Sequence, residues 1–81
     1  MSQLQKKADF TREVARRAKD HGLDAGHDVE RLLQLVAEIN RLRADKQARA
    51  ADLTEETAYT VAERIASNLG MTDLLDQRQG L

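Results

Sequence analysis

The apolar residues of the chain are concentrated in one segment, residues 29–42, which reads VERLLQLVAEINRL. On a helix that advances about 100° per residue, its valine, leucine and isoleucine side chains spread over roughly half of the circumference. A helix that packs against one neighbour needs an apolar stripe of only about 100°. The pattern therefore predicts a central helix that other helices cover from two sides.

Glycines divide the rest of the chain into helices. No proline occurs, and the four glycines stand at positions 22, 26, 70 and 80, which favours helices joined by short turns. Gly22 and Gly70 are each followed by an apolar residue, which is typical of a helix that ends on a left-handed glycine. The sequence predicts one all-α domain, residues 1–81, in which three main helices and a short C-terminal helix form a small antiparallel bundle. The predicted helices span about residues 3–21, 28–50, 55–69 and 73–78.

The break between the second and third helices is predicted from a capping signal. The alanines after Leu42 are strong helix formers, so the second helix, capped by Asp28 or Asp24, is expected to continue to about residue 50. Thr54 is the expected N-cap of the third helix, and Leu53 is expected to contact Ala58 as a hydrophobic staple. The two glutamates that follow Thr54 are expected to interact with the helix dipole.

Composition limits how this domain is stabilised. The 81 residues include one Phe, one Tyr, no Trp and no Cys, so the core is thin and disulfides are excluded. Small domains of this kind are often stabilised by association, and the sequence therefore predicts a homodimer or a bound partner. No apolar window is long enough for a membrane span, and the first residues lack the apolar region of a signal peptide. A cytoplasmic protein is expected.

Charge changes this picture little. The net charge is −1, which by itself predicts neither a nucleic acid nor a membrane as partner. The first twenty residues are net basic and residues 53–81 are net acidic. Either these regions attract each other, within a subunit or across a dimer, or they are solvated surfaces.

The sequence contains no recognisable catalytic or metal-binding pattern. It has no cysteine nucleophile and no glycine-rich phosphate loop. Glu55 and Glu56 are adjacent, so on a helix they point about 100° apart and do not converge as an acid–base pair. His21 and His27 are six residues apart across a turn, unlike the spacing of helical metal ligands. We expect no enzymatic activity, no cofactor, no metal and no small-molecule substrate.

Residues 65–72, IASNLGMT, resemble the middle of a bacterial helix-turn-helix. Ala66, Gly70, Met71 and Thr72 match the small residue, turn glycine and flanking residues of that motif. The resemblance implies a DNA-binding regulator or a relaxosome-type accessory protein. The following helix departs from the motif, because Asp73 and a second aspartate would face phosphates. A nucleic-acid partner is therefore the alternative, and a protein partner is expected.

Small, cysteine-free, wholly helical proteins of this size resemble the antiactivators and antitoxin-like modulators of bacterial regulatory systems, which occlude a transcription factor or a toxin. The resemblance implies a non-enzymatic protein that binds a regulator, or a second copy of itself, through an apolar helical surface with a charged rim. Leu32, Val36 and Ile65 are predicted to lie in the core. The predicted contact residues are Leu35, Ile39 and Leu42 on the apolar surface and Arg41, Arg43 and Arg49 on the rim.

Overall fold

The computed structural model describes residues 3–20 and 27–78, and it confirms the all-α architecture. Three main helices pack against each other and a short fourth helix follows; no strand occurs in the described residues. The helices are α1 (Gln3–Asp20), α2 (His27–Ala44), α3 (Ala48–Asn68) and α4 (Thr72–Arg78). The predicted stop at Gly22, with His21 and Asp24, lies outside the described residues. Asp28 lies inside α2 rather than at its N-cap.

The central helix is α3, so the prediction that residues 29–42 form the centre is wrong. α3 packs against α1, α2 and α4, whereas α1 and α2 contact each other only at a few positions. α2 and α3 are antiparallel: Asp28 near the start of α2 binds Arg64 near the end of α3, and Arg43 near the end of α2 binds Asp52 near the start of α3. The wide apolar arc of α2 is therefore covered mainly by one neighbour.

The core combines large side chains from α1 and α2 with small ones from α3. Leu32, Ile39 and Val14 are fully buried. α3 contributes one face of buried alanines, whose small side chains allow neighbouring helices to approach closely. Phe10 of α1 packs edge-to-face on Tyr59 of α3, with ring centroids 5.3 Å apart. The buried alanines of α3 are Ala51, Ala58, Ala62 and Ala66. Of the predicted core residues, Leu32 and Ile65 are confirmed, and Val36 is partly buried against the core.

The turn between α2 and α3 lies earlier than predicted. α2 ends at Ala44, and Lys46 adopts a left-handed backbone with φ of 62°. The Lys46 N–H donates to the Arg43 carbonyl (3.0 Å) and the Gln47 N–H donates to the Leu42 carbonyl (2.9 Å), which together form a Schellman motif. α3 then runs through residue 54. The predicted break at residues 51–54 is wrong because a lysine stands at a position where glycine is the usual signal.

Thr54 and Leu53 consequently lie inside α3 and do not form the predicted cap and staple. The Thr54 hydroxyl donates to the Ala50 carbonyl one turn earlier (2.9 Å), a bond that threonine commonly makes within a helix. Leu53 is exposed. Tertiary packing therefore keeps this segment helical despite its capping signal.

The stop at the end of α3 is confirmed. Gly70 has a φ of +69°, and the N–H of Met71 donates to the Ala66 carbonyl (2.9 Å). Met71 is buried, as the apolar residue after such a glycine should be. α4 follows at once and packs through Leu74. Residues 65–72 thus form the end of α3, its stop and the first residue of α4.

Candidate protein-binding surface

A buried carboxylate joins the three main helices. Glu55 of α3 is only 1% exposed and receives two hydrogen bonds from the Arg12 guanidinium of α1, at 2.8 and 3.3 Å. Arg43 of α2 lies 3.5 Å from the same carboxylate. The prediction that Glu55 sits in a first helical turn is wrong. Both of its oxygens already accept hydrogen bonds from Arg12, so the carboxylate is bound within the fold and is not open to a substrate.

Two of the three predicted apolar contact residues lie in the core. Ile39 is 0% exposed and Leu42 is 8% exposed. A partner could reach Ile39 only if α2 separated from α3, which corrects the prediction that these two side chains form a surface. Leu35 is only partly buried, and its role in binding stays a prediction.

The predicted arginine rim does not form one surface. Arg41 is exposed and bonds to Glu38 on its own helix, and Arg43 turns inward toward α3, as described above. Arg49 stands on α3 instead, exposed, and makes no ion pair within residues 3–20 and 27–78. Of the three arginines, Arg49 alone is therefore exposed and without an ion pair to any described residue.

A band of exposed residues along α3 was not predicted, and we call it the α3 outer face. On a helix with about 3.6 residues per turn these side chains share one side, directed away from the core. Within this band Leu53, one turn after Arg49, is 66% exposed; Leu69, at 42%, is the other large apolar side chain exposed in the described part of the chain. The α3 outer face consists of Arg49, Leu53, Thr57, Thr60 and Arg64 of α3, together with the flanking cations Lys46 of the preceding turn and Arg31 of α2.

Two shallow depressions open on this face. The first lies beside Leu53 and is lined by residues 46–50. The second, about 560 Å³ in volume, lies where α2 meets α3. Its lining includes Arg31 of α2, and its residues are His27, Asp28, Arg31, Thr57, Thr60, Val61 and Arg64. Both depressions are open to solvent, so they suit a macromolecular surface better than an enclosed small ligand.

The α3 outer face is basic. Neither Arg31 nor Lys46 forms an ion pair with any residue that the structure describes. Arg64 binds Asp28 at 3.3 Å, and Glu56 at the edge of the face is held by Lys7 of α1 at 3.1 Å. Most cations on this face therefore remain available, while Asp28, Asp52 and Glu56 are each bound by a cation.

The region that resembles a helix-turn-helix carries the opposite charge. α4 has seven residues, and Asp73 in its first turn binds Arg17 of α1 at 2.8 Å. The hydrogen bond from Arg17 lowers the pKa of the Asp73 carboxyl. Asp76 is exposed on the same helix, so this helix would present carboxylates to phosphates, as the sequence indicated.

In the described residues, no group of three or more histidine and acidic side chains is placed to hold a metal, and His21 lies outside these residues. No helix of this part of the chain is long and apolar enough to cross a membrane.

No protein-family model, no curated protein and no solved structure matches the chain.

Proposed function

We propose that this chain is a small non-enzymatic regulatory protein that binds and occludes another protein through the α3 outer face. The observation that supports this proposal is Leu53, which is 66% exposed on a basic helix face. Burying the exposed part of one leucine contributes about 1 to 2 kcal/mol to binding. An isolated exposed leucine is common, but one flanked by unpaired cations matches the apolar centre and polar rim of a protein interface.

The titratable groups favour binding over catalysis. The carboxyls whose pKa is shifted in the described residues, Glu13 and Asp73, both have a lowered pKa because arginines donate hydrogen bonds to them. A general acid or base works best with a pKa close to the working pH. These two carboxylates are instead fixed in their charged form by ion pairs at the surface.

The proposed surface changes which predicted residues matter. Arg49 belongs to the α3 outer face itself. Leu35 lies on α2, and the ion pairs that align α2 with α3 place it opposite the middle of α3. We therefore assign Arg49 to the contact surface, with Arg41 and Arg43 outside it, and the role of Leu35 stays a prediction.

Affinity capture from the cells that produce the protein tests this proposal. The tagged wild type is compared with Leu53→Asp and with Ala37→Asp, a matched control on an exposed position of α2. We expect one dominant protein to bind to the wild type and to the control and to be lost with Leu53→Asp. Circular dichroism should show equal helicity for all three. Equal recovery with Leu53→Asp would contradict the proposal.

Light scattering on a sizing column separates a second copy from a different partner. The predicted homodimer has no direct support in the single chain, so the mass is measured over about a hundredfold range of concentration. A dimer that Leu53→Asp dissociates would make a second copy the occupant of the face. A monomer at all concentrations would leave the face for another protein.

A further inference from the structure

Building on the proposed function, we infer that the partner presents an amphipathic helix whose acidic side chains surround an apolar centre. The cations of the α3 outer face and the exposed Leu53 among them together define that chemistry. A helix lying in a shallow groove between two helices is a recurrent mode of protein recognition.

The charge of the α3 outer face indicates an acidic partner. Arg31, Lys46 and Arg49 have no carboxylate partner in the described residues, although the chain as a whole has a net charge of −1. These three cations are therefore available to a partner, unlike Arg16 of α1, which is bound by both Glu13 and Asp20. Available charge of one sign selects a partner of opposite charge and repels one of the same charge.

A second copy docked by the same face does not fit. Two α3 outer faces in contact would bring Arg49 and Arg64 of one copy against the same residues of the other. Like charges in an interface cost several kcal/mol and suppress the wrong pairing. A symmetric dimer through this face is therefore disfavoured.

A nucleic acid fits less well than an acidic helix. Phosphates would match the cations, and threonine hydroxyls such as Thr57 and Thr60 also bind phosphates in complexes. Leu53, however, would gain little against a sugar–phosphate backbone. An amphipathic helix pairs its carboxylates with the cations and covers Leu53 with its own apolar side chains, so it uses both features.

The length of the face sets the length of that helix. Arg49 and Arg64 are separated by about 22 Å along α3, at 1.5 Å per residue. A partner helix of about four turns spans this distance. Its carboxylates should lie near both ends, facing Lys46 and Arg49 at one end and Arg31 and Arg64 at the other, with an apolar side chain over Leu53, about one turn from Arg49.

The test uses defined probes and the whole chain. The isotope-labelled protein is titrated with a synthetic helix of about sixteen residues, built of leucine, alanine and glutamate with the leucines on one face. The comparison probes are the same peptide with lysine in place of glutamate and a DNA duplex of about 20 base pairs. Amide chemical shifts report both the affinity and the location of binding.

We expect the acidic peptide to shift the amides of residues 46–64 and the lysine peptide to leave them unchanged. Arg49→Glu should weaken binding roughly tenfold. Lys6→Glu makes the same charge change at an exposed position of α1 and should alter binding less than about twofold. Binding should also weaken as salt is raised.

Three results would overturn the inference: no shift up to about 1 mM acidic peptide, equal binding of the two peptides, or tighter binding of the duplex than of the acidic peptide. The last result would assign the face to a nucleic acid. If affinity capture still depended on Leu53 while the acidic peptide failed, the proposed function would stand and only the chemistry of the partner would be wrong.

Discussion

The cluster of Arg12, Arg43 and Glu55 leads to a prediction in which removing the cation harms the fold and removing the anion does not. Glu55 is 1% exposed, whereas Arg12 is 35% exposed and Arg43 is 44% exposed. Losing an arginine therefore leaves a buried carboxylate short of partners. Losing the carboxylate leaves arginines that can turn to water.

The expected magnitude follows from the geometry. Two unit charges about 4 Å apart interact by about 4 kcal/mol at an effective dielectric of about 20. Because Arg12 is about one-third exposed, solvent screening reduces this to about 2 kcal/mol. Arg12→Met retains most of the alkyl packing, so it should lower the free energy of unfolding by about 2 kcal/mol. That is a large share of the roughly 4 to 12 kcal/mol typical for a chain of this size.

The assay is urea unfolding followed by circular dichroism on four proteins: wild type, Arg12→Met, Glu55→Met and the double variant. Glu55→Met should change stability by less than about 1 kcal/mol, since an apolar residue of similar volume can replace a buried ion pair. The double variant should be more stable than Arg12→Met alone. Arg16→Met is the control; its pairs with Glu13 and Asp20 lie at the surface and are screened by solvent, so its loss should change stability far less than Arg12→Met does.

The reasoning would be refuted by either of two results. One is that Glu55→Met costs as much as Arg12→Met and the two losses add, which would mean that the pair itself supplies net stability. The other is that Arg12→Met costs no more than Arg16→Met, which would mean that Arg43 alone satisfies the carboxylate. The slope of unfolding against urea must stay constant for the comparison to hold.

Three further predictions test other parts of the structure. Ile39→Ala should cost about 2 to 4 kcal/mol in urea unfolding because the side chain is fully buried, while Leu53→Ala should cost less than about 0.5 kcal/mol. Lys46→Gly should raise the melting temperature and stabilise the fold by about 0.5 to 1 kcal/mol. The reason is that a residue with a side chain is strained in the left-handed backbone conformation of Lys46, whereas glycine is not. Arg17→Gln should restore the pKa of Asp73 toward its ordinary value of 3.8, measured by NMR titration. Because that pKa is lowered in the folded state, the pair stabilises the fold above about pH 4 and the contribution is lost as pH falls, so the variant should lose less stability on acidification.

The features that could be predicted from the sequence are those that depend on residues close together in the chain. Gly70 followed by Met71 is sufficient to predict the end of α3, because a left-handed residue without a side chain and an apolar residue after it specify that stop almost alone. The all-α class follows from the helical period of the apolar residues and from the absence of proline. These features depend on residues within a few positions of each other.

Contacts between distant residues could not be predicted in this way. Glu55 shares the buried side of α3 with Ala51 and Ala58, and the arginines that bind its carboxylate there, Arg12 and Arg43, come from two other helices. A pattern that counts glutamate as a surface residue places it at a helix start instead. Likewise, the arc of α2 was expected to be central because it has the largest side chains. The alanines of α3 make closer packing possible and give that position to α3.

The position of the turn between α2 and α3 explains both why α3 begins earlier than predicted and why the contact surface differs from the predicted one. With a break at residues 51–54, Arg49 would end the second helix, Leu53 would lie in a loop, and no helix face would contain both. The turn at Lys46 instead starts α3 at Ala48, which places Arg49, Leu53 and Thr57 four residues apart on one side of one helix. Packing favours this earlier turn because it returns the chain over Leu42 and buries Ala51, whereas a longer α2 would extend polar residues beyond the core. The same reversal that completes the core therefore creates the basic face with an exposed leucine, and a variant that moved the turn would remove both together.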